Sequence, residues 1–298
     1  MMQKYVISIQ FDYICVVFYK RLIKMLIIAD SGSTKTSWAF VENGQIIYNV
    51  KTSGLNPVLM NKDDIIDVLK SISIHNNHPV QSIRFYGAGC REPWSTKVRL
   101  ALEEVFHPSG TIEVESDLLG AARSLFGNKQ GIACILGTGS NSCLYNGHEI
   151  ISNVPPMGYI LGDEGSGAAL GKLFINALYK GILPESMRDD YLKWASLNYS
   201  QLISRVYHEP NANRFLASTS LYISNHLEYE PLRRIVKDNF RNFFHLQLNN
   251  YHRKDLHVGI VGSVGFHYQD LLKEVASTEG YVIDNIIKEP LEGLIAYG

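Results

Sequence analysis

Apolar and polar positions fall in blocks along this chain, and the blocks repeat. Residues 25–29, Met-Leu-Ile-Ile-Ala, form a short continuous apolar run of the kind buried in a central strand. The polar stretch 30–36, Asp-Ser-Gly-Ser-Thr-Lys-Thr, reads as a turn, and Ser-Trp-Ala-Phe-Val at 37–41 as a second strand. Asn43-Gly44 is a type I′ hairpin signal, because both central positions of that turn need positive φ, and residues 45–50 make a third strand. The same order returns about a hundred residues later. Apolar 131–136 leads into Gly137-Thr138-Gly139-Ser140; a strand over 141–145, Asn146-Gly147 and a closing strand over 148–152 follow.

Between and after the copies, helical and strand patterns alternate. Ile65, Ile66, Val68, Leu69 and Ile72 place an apolar stripe on a helix over 63–73. Residues 83–89 predict a strand, 96–106 a helix, 111–115 a strand and 117–126 a helix with small residues at Gly120, Ala121 and Ala122. Residues 165–183 and much of 188–250 read as helical, with Phe240, Phe243, Phe244 and Leu248 as core positions. A strand at 257–262 runs into a Gly-punctuated helix from Ser263, then a strand at 281–285 and a helix at 290–297. Strands alternating with helices after an antiparallel opening predict an α/β fold, and the doubled opening predicts two related domains with a cleft between them. The boundaries expected are 25–120 and 121–287, with the terminal helix, 288–298, packing back on the first domain.

Composition narrows the function classes. The chain has 298 residues, 46% hydrophobic and 19% charged, with a formal net charge of -1; no basic face marks nucleic-acid binding. Cys15, Cys90, Cys134 and Cys143 lie far apart without a CxxC pair, which argues against zinc, an iron–sulfur cluster or a disulfide framework and fits a reduced, cytoplasmic setting. The apolar run Val6–Phe18 is interrupted by Gln10 and Asp12 and falls short of the roughly 20 residues that span a bilayer, so no membrane segment is expected. Met25 stands directly before the first strand, and residues 1–24 are expected to be an upstream extension without chemistry.

The Gly-rich turns carry the candidate chemistry. A Gly turn between two strands leaves backbone N–H groups unpaired and lets an anion approach closely, which makes a phosphate nest. Thr and Ser hydroxyls add donors, Lys35 adds a charge, and Asp30 is placed to hold a metal-bound water. A ligand-free hairpin is the plainer reading of either turn alone; two copies favour a polyphosphate site. The Walker pattern GxxxxGK[ST] is absent. Asp117 is either a functional carboxylate or an N-cap, and Asp163 and Glu164 either reach a ligand or complement a helix dipole.

The segments ADSGSTKT, ILGTGSNS, GDEGSGAALG and GIVGSVG, in that order, resemble the two phosphate motifs, the hinge segment and the adenosine motif of the sugar-kinase, actin and heat-shock ATPase superfamily. More narrowly, the set resembles the N-acetylglucosamine kinase family, grouped with BadF/BadG/BcrA/BcrD-type ATPases, and covers almost everything after Met25. The resemblance implies two ribonuclease H-like (actin-like ATPase) domains, ATP and Mg²⁺ as reactants, and a sugar substrate. It implies that Asp30 positions the Mg²⁺ water shell and that Gly32, Ser33, Thr34 and Lys35 contact the β- and γ-phosphates. Gly137, Thr138 and Gly139 would meet the ATP phosphates; Gly262 and Ser263 would lie against adenosine. Asn56, Ser140, Asn141, Met157, Gly158 and Asp163 would face the sugar, and Asp117 would be the catalytic base that also contacts it.

One departure stands out. Where the family's animal members place Trp-Gly before GDEG, this chain has Pro156-Met157-Gly158, and Met157 cannot stack or donate as Trp does. The resemblance also implies a homodimer without nucleic-acid or membrane partners. Within the wider family the alternative is an ATPase that activates a reductase or dehydratase through a cysteine-bound cluster, for which this chain shows no closely placed cysteines.

Overall fold

The computed structural model describes residues 25–32, 34–73 and 78–297. Residues 1–24 and Ser33, named above as an extension and an ATP contact, lie outside them. The chain divides into two compact units, 1–120 with 291–298, and 121–290.

In the first unit, β1 (Met25–Ser31), β2 (Lys35–Glu42) and β3 (Gln45–Ser53) form an antiparallel meander. β4 (Val80–Gly87) and β5 (Ile112–Ser116) add parallel to β1, giving the order β3-β2-β1-β4-β5. The central strand is apolar on both faces because both are covered. Met25, Ile27 and Ala29 point into one core with Ile65, Ile66, Leu69 and Ile72 of α1 (Lys62–Ser73) and Val98, Ala101 and Leu102 of α2 (Trp94–Phe106). The residues between them face the other way. Leu26 and Ile28 join Ala39, Val41 and Tyr86 beneath Leu291, Leu294 and Ile295. The polar stretch expected as a turn is strand at both ends: β1 runs on through Ser31 and β2 begins at Lys35.

The second unit repeats this plan. β6 (Gly131–Leu136), β7 (Ser140–Tyr145) and β8 (Ile150–Ser152) form the meander, and β9 (Val258–Val261) and β10 (Ile283–Ile287) lie parallel to β6. Counted from the meander edge, the order β8-β7-β6-β9-β10 is that of the first sheet. The sequence repeat is therefore a topological one. Helix α3 (Asp117–Phe126) leaves β5; its Gly120 rests on the Tyr86 ring, while Leu125 and Phe126 in the second unit cover Gly259 and Gly131.

The units differ in helical complement. Between β8 and β9 stand a short α4 (Gly158–Leu161), α5 (Gly167–Tyr179), α6 (Glu185–Trp194), α7 (Tyr199–Tyr207), α8 (Ala212–Ser224), α9 (Glu230–Leu246) and a 3₁₀ turn (Leu248–Tyr251). Phe240, Phe243, Phe244 and Leu248 are wholly buried there, as their spacing predicts. The helix read from Ser263 is two, α10 (Ser263–His267) and α11 (Gln269–Thr278), and α12 (Leu291–Tyr297) ends the described chain. No helix among the described residues is long and apolar enough to cross a membrane.

Helices α5 and α8 cross at Gly171, where a Cβ would stand 2.2 Å from the Leu216 carbonyl oxygen. Backbone there cannot yield as a side chain would. Gly171→Ala is expected to cost at least about 1–3 kcal/mol by overpacking. A lowered urea midpoint with an unchanged slope would show it.

Candidate functional site

In the first unit the candidate residues gather at the carboxyl ends of parallel strands, where α/β sheets bind ligands. The register sets Ser31, Gly87 and Ser116 in one row across β1, β4 and β5, so Asp30 and Asp117 belong to strands one place removed. Ser31 and Thr36 are fully buried and share a hydrogen bond of 2.7 Å. Ser31 Oγ also accepts from Leu55 N (2.9 Å) and donates to Leu55 O, and Thr36 Oγ1 donates to Ser53 O. Gly32 N closes the turn on Lys35 O at 3.0 Å. These hydroxyls are structural pins that tie the first turn to the segment carrying Asn56, a role the sequence did not reveal. Lys35 itself is exposed at the start of β2.

Asn56 is held from three sides. Its Oδ1 accepts from Val58 N, its carbonyl accepts from Leu59 N and Met60 N, and Lys97 Nζ of α2 donates to the carbonyls of Pro57 and Met60. Gly89 lies against the Asn56 amide; a Cβ there would come within 2.6 Å of Oδ1. Among the described residues, Nδ2 has no partner and remains a free donor.

Asp117 is not the cap of α3. Ser116 Oγ accepts from Leu119 N (3.2 Å), the bond a helix cap makes, and releases the carboxylate one residue later. Asp117 Oδ1 accepts its neighbour's N–H, from Leu118 at 2.9 Å. Burial pushes its carboxyl above the ordinary carboxylate value, opposed by that N–H and by the charge of Arg91. Burial, then the charges of Asp117 and Glu115, push the Cys90 thiol to about 12, so it is neutral at physiological pH.

In the second unit the turn after β6 is held by backbone alone. Gly137 N donates to Gly139 O (3.0 Å), while Gly167 N and Ala168 N at the start of α5 donate to the carbonyls of Gly137 and Thr138. The N–H groups of Thr138 and Gly139 have no partner among the described residues and stay available to an anion. Gly262, at φ +127°, presses on this turn so closely that a Cβ would fall 2.3 Å from Leu136 O. Ser263 is exposed at the next position.

Asp163 sits behind the same turn. It is 8% exposed with φ +58°, its backbone N–H donates to Pro156 O (2.9 Å), and its Oδ1 lies 3.4 Å from Ser140 N. Burial raises its carboxyl above the ordinary value; the Ser140 N–H and Lys172 oppose this and Glu164 adds to it. Ser140 Oγ is buried without a hydrogen-bond partner. Asn141 Oδ1 is occupied, accepting from Ser142 N and Asn153 Nδ2 at 2.9 Å each. Met157 (60% exposed) and Gly158, both at positive φ, start α4, which Lys172 fastens through the Tyr159 carbonyl.

Helix α9 backs this loop with residues at i+4 spacing that sequence reasoning passed over. Asn239 accepts from Gly165 N (3.1 Å) and donates to Ser166 O (3.2 Å), Phe243 abuts Gly165, and Gln247 Nε2 approaches Glu164 at 3.4 Å. Tyr251, one further step along, joins Ser142 Oγ and Val154 N. The available signal was an amide at 239 and another at 247 within an apolar stripe.

The donor sets suit nucleotide and magnesium. The N–H groups of Thr138 and Gly139, unpaired among the described residues, fit phosphate. Mg²⁺ keeps most of its waters and takes one or two carboxylates plus phosphate oxygens, so a single carboxylate beside a phosphate turn would serve it. Asp30 is the carboxylate nearest the first turn in sequence.

A carboxyl whose folded value is raised destabilises the fold once ionised, and regains stability as pH falls through that value. Asp117→Asn is therefore expected to melt above the wild type at pH 8, with the gap narrowing as the pH is lowered towards the ordinary carboxylate value. Thermal denaturation across that range checks it.

No protein-family model and no curated protein sequence matches the chain. Among solved structures, a Porphyromonas gingivalis protein provisionally assigned as an N-acetylglucosamine kinase is 41% identical, with a TM-score of 0.87 over 92% of this chain and 98% of that one. A Chromobacterium violaceum protein with the same provisional assignment gives 0.72 at 16% identity over 92% and 99%, and Balamuthia mandrillaris glucokinase in complex with glucose gives 0.50 at 12% over 92% and 93%. The latter two share the fold alone; by its likeness to the first over nearly the whole length of both, this two-domain actin-like chain belongs to the N-acetylglucosamine kinase family.

Proposed function

We propose that this protein is an ATP-dependent sugar kinase that phosphorylates the 6-hydroxyl of N-acetylglucosamine or a related amino sugar. The observation that carries the reading is Asp117: a carboxylate at the end of a parallel strand, relieved of capping by Ser116 and left without a cationic hydrogen-bond partner. A group so placed serves as the base for a hydroxyl. The likeness to the Porphyromonas gingivalis protein supports a kinase, and leaves the sugar to be established.

Each residue then has a chemical task. Asn56, fixed by Lys97 and its own turn, offers its free Nδ2 to a ring hydroxyl. Asp163 takes other hydroxyls, and Ser140 Oγ supplies a donor that the protein itself leaves unspent. Thr138 and Gly139 present backbone N–H groups to ATP phosphates; Gly32, Thr34 and Lys35 do so at the first turn. Mg²⁺, held through Asp30 and its own water, would neutralise phosphate charge when bound. With the nucleophile held in line, positioning and charge supply most of the rate. The exposed Met157 stands in the sequence where Trp stands in animal relatives, so discrimination of the N-acetyl group is expected to rest on hydrogen bonds rather than stacking.

Mg-ATP with a panel of hexoses, N-acetylhexosamines and muramic-acid derivatives, followed by ADP and sugar-phosphate release, tests the proposal. ADP release should depend on the sugar, and Asp117→Asn should lower kcat by about 10²–10⁴-fold, the range for a general base. Sugar-independent ADP release, unaltered in Asp117→Asn, would overturn it in favour of a bare ATPase.

A further inference from the structure

The loop Gly87–Arg91 has no role in the assignment above, yet it touches two of its residues. Gly87 pairs with Ser31 on one side and Ser116 on the other, so the loop leaves the sheet between the end of β1 and Asp117. It is tightly wound: Cys90 N donates to Gly87 O and Arg91 N to Gly89 O, each at 3.0 Å. The Arg91 carbonyl receives Trp94 N (2.7 Å) and Ser95 N (3.1 Å), which anchors the loop to the start of α2. Gly89 packs on the Asn56 amide, and the buried Cys90 thiol lies in the field of Asp117 and Glu115.

Arg91 comes next. It is exposed, its charge acts on the Asp117 carboxylate, and its guanidinium makes no ion pair or side-chain hydrogen bond among the described residues. Its five donors are unspent among the described residues, and its charge reaches the proposed base.

We propose that Arg91 is a further catalytic residue, whose guanidinium contacts the phosphoryl group as it passes from ATP to the sugar. The proposal rests on the kinase reading of Asp117. In the transfer, the sugar oxygen forms a bond to the γ-phosphorus, and the bond from that phosphorus to the bridging oxygen breaks. ADP leaves with the electron pair, and the hydroxyl proton passes to Asp117. The phosphoryl oxygens thus arrive next to a carboxylate, and the two negative groups repel. A planar cation at that point offsets the repulsion and matches phosphate geometry. Cys90 is neutral and cannot do so, Glu115 carries the wrong sign, and a neutral sugar gives Arg91 no anion to hold before transfer. The contact is therefore specific to the transferring group and to the phosphorylated product.

Arg91→Gln, Arg91→Ala and Arg91→Lys, with the wild type, test this by steady-state kinetics and by calorimetric binding of the sugar and its 6-phosphate. Loss of the cation is expected to lower kcat about 10²–10³-fold, as for an electrostatic group acting in the transition state, with Lys restoring part. The sugar KM should stay within about twofold, because uniform binding is untouched. Affinity for the 6-phosphate should fall about tenfold or more, the size of one charge-assisted contact, while the unphosphorylated sugar binds as before. The acid limb of kcat/KM should also move to higher pH, since Asp117 loses its neighbouring positive charge. An unchanged kcat, or equal losses of sugar and sugar-phosphate affinity, would overturn the role of Arg91. A wild type without sugar-dependent ADP release would instead overturn the kinase reading, so the two failures are distinct.

Discussion

Two apolar central strands, β1 and β6, each run straight into a polar turn, and the rest of the structure depends on how that junction is satisfied. A buried strand end carries N–H and C=O groups that cost free energy unless paired. The first unit pairs them with side chains: Ser31 and Thr36, both without exposure, tie the turn to the backbone of Ser53 and Leu55. The second pairs them with backbone: the start of α5 donates to the Gly137 and Thr138 carbonyls, and Gly262 fills the space a side chain would need. What the second junction leaves unpaired among the described residues, the N–H groups of Thr138 and Gly139, is what an anionic ligand can use.

The same logic separates the carboxylates. Ser116 takes the capping duty at α3, so Asp117 accepts the Leu118 N–H instead, and burial raises its carboxyl while that N–H and the charge of Arg91 oppose the rise. Asp163 is placed by strained backbone instead, at φ +58° behind Gly139. That strain persists because Asn239 clamps Gly165 and Ser166 from a buried position on α9. Both carboxyls are raised by burial, and both are thereby costly to the fold. A stability cost borne at a buried carboxylate is a common mark of a functional site.

Much of the fold was legible in the sequence, because its signals are local. Apolar runs, Asn-Gly turns and apolar helical stripes located both meanders and most helices, and the repeat of the opening pattern announced the repeat of sheet order. Element ends were less legible. β1 and β2 extend into the polar stretch because Ser31 and Thr36 find buried partners on a distant segment, which no local window contains. The helix read from Ser263 breaks in two at His267-Tyr268, and α4 was not anticipated.

The candidate site divides along the same line. By itself the sequence nominated the residues proposed to carry chemistry, the Gly-rich turns, Asp30, Lys35, Asn56, Asp117 and Asp163, through residue type, order and resemblance. Tertiary structure alone decided what several of them are free to do. Ser116 rather than Asp117 caps α3, Asn141 is spent on Asn153, and among the described residues Asn56 keeps one donor and Arg91 makes no ion pair. Hydrogen-bond satisfaction is a balance over contacts distant in sequence, and only the folded chain closes it.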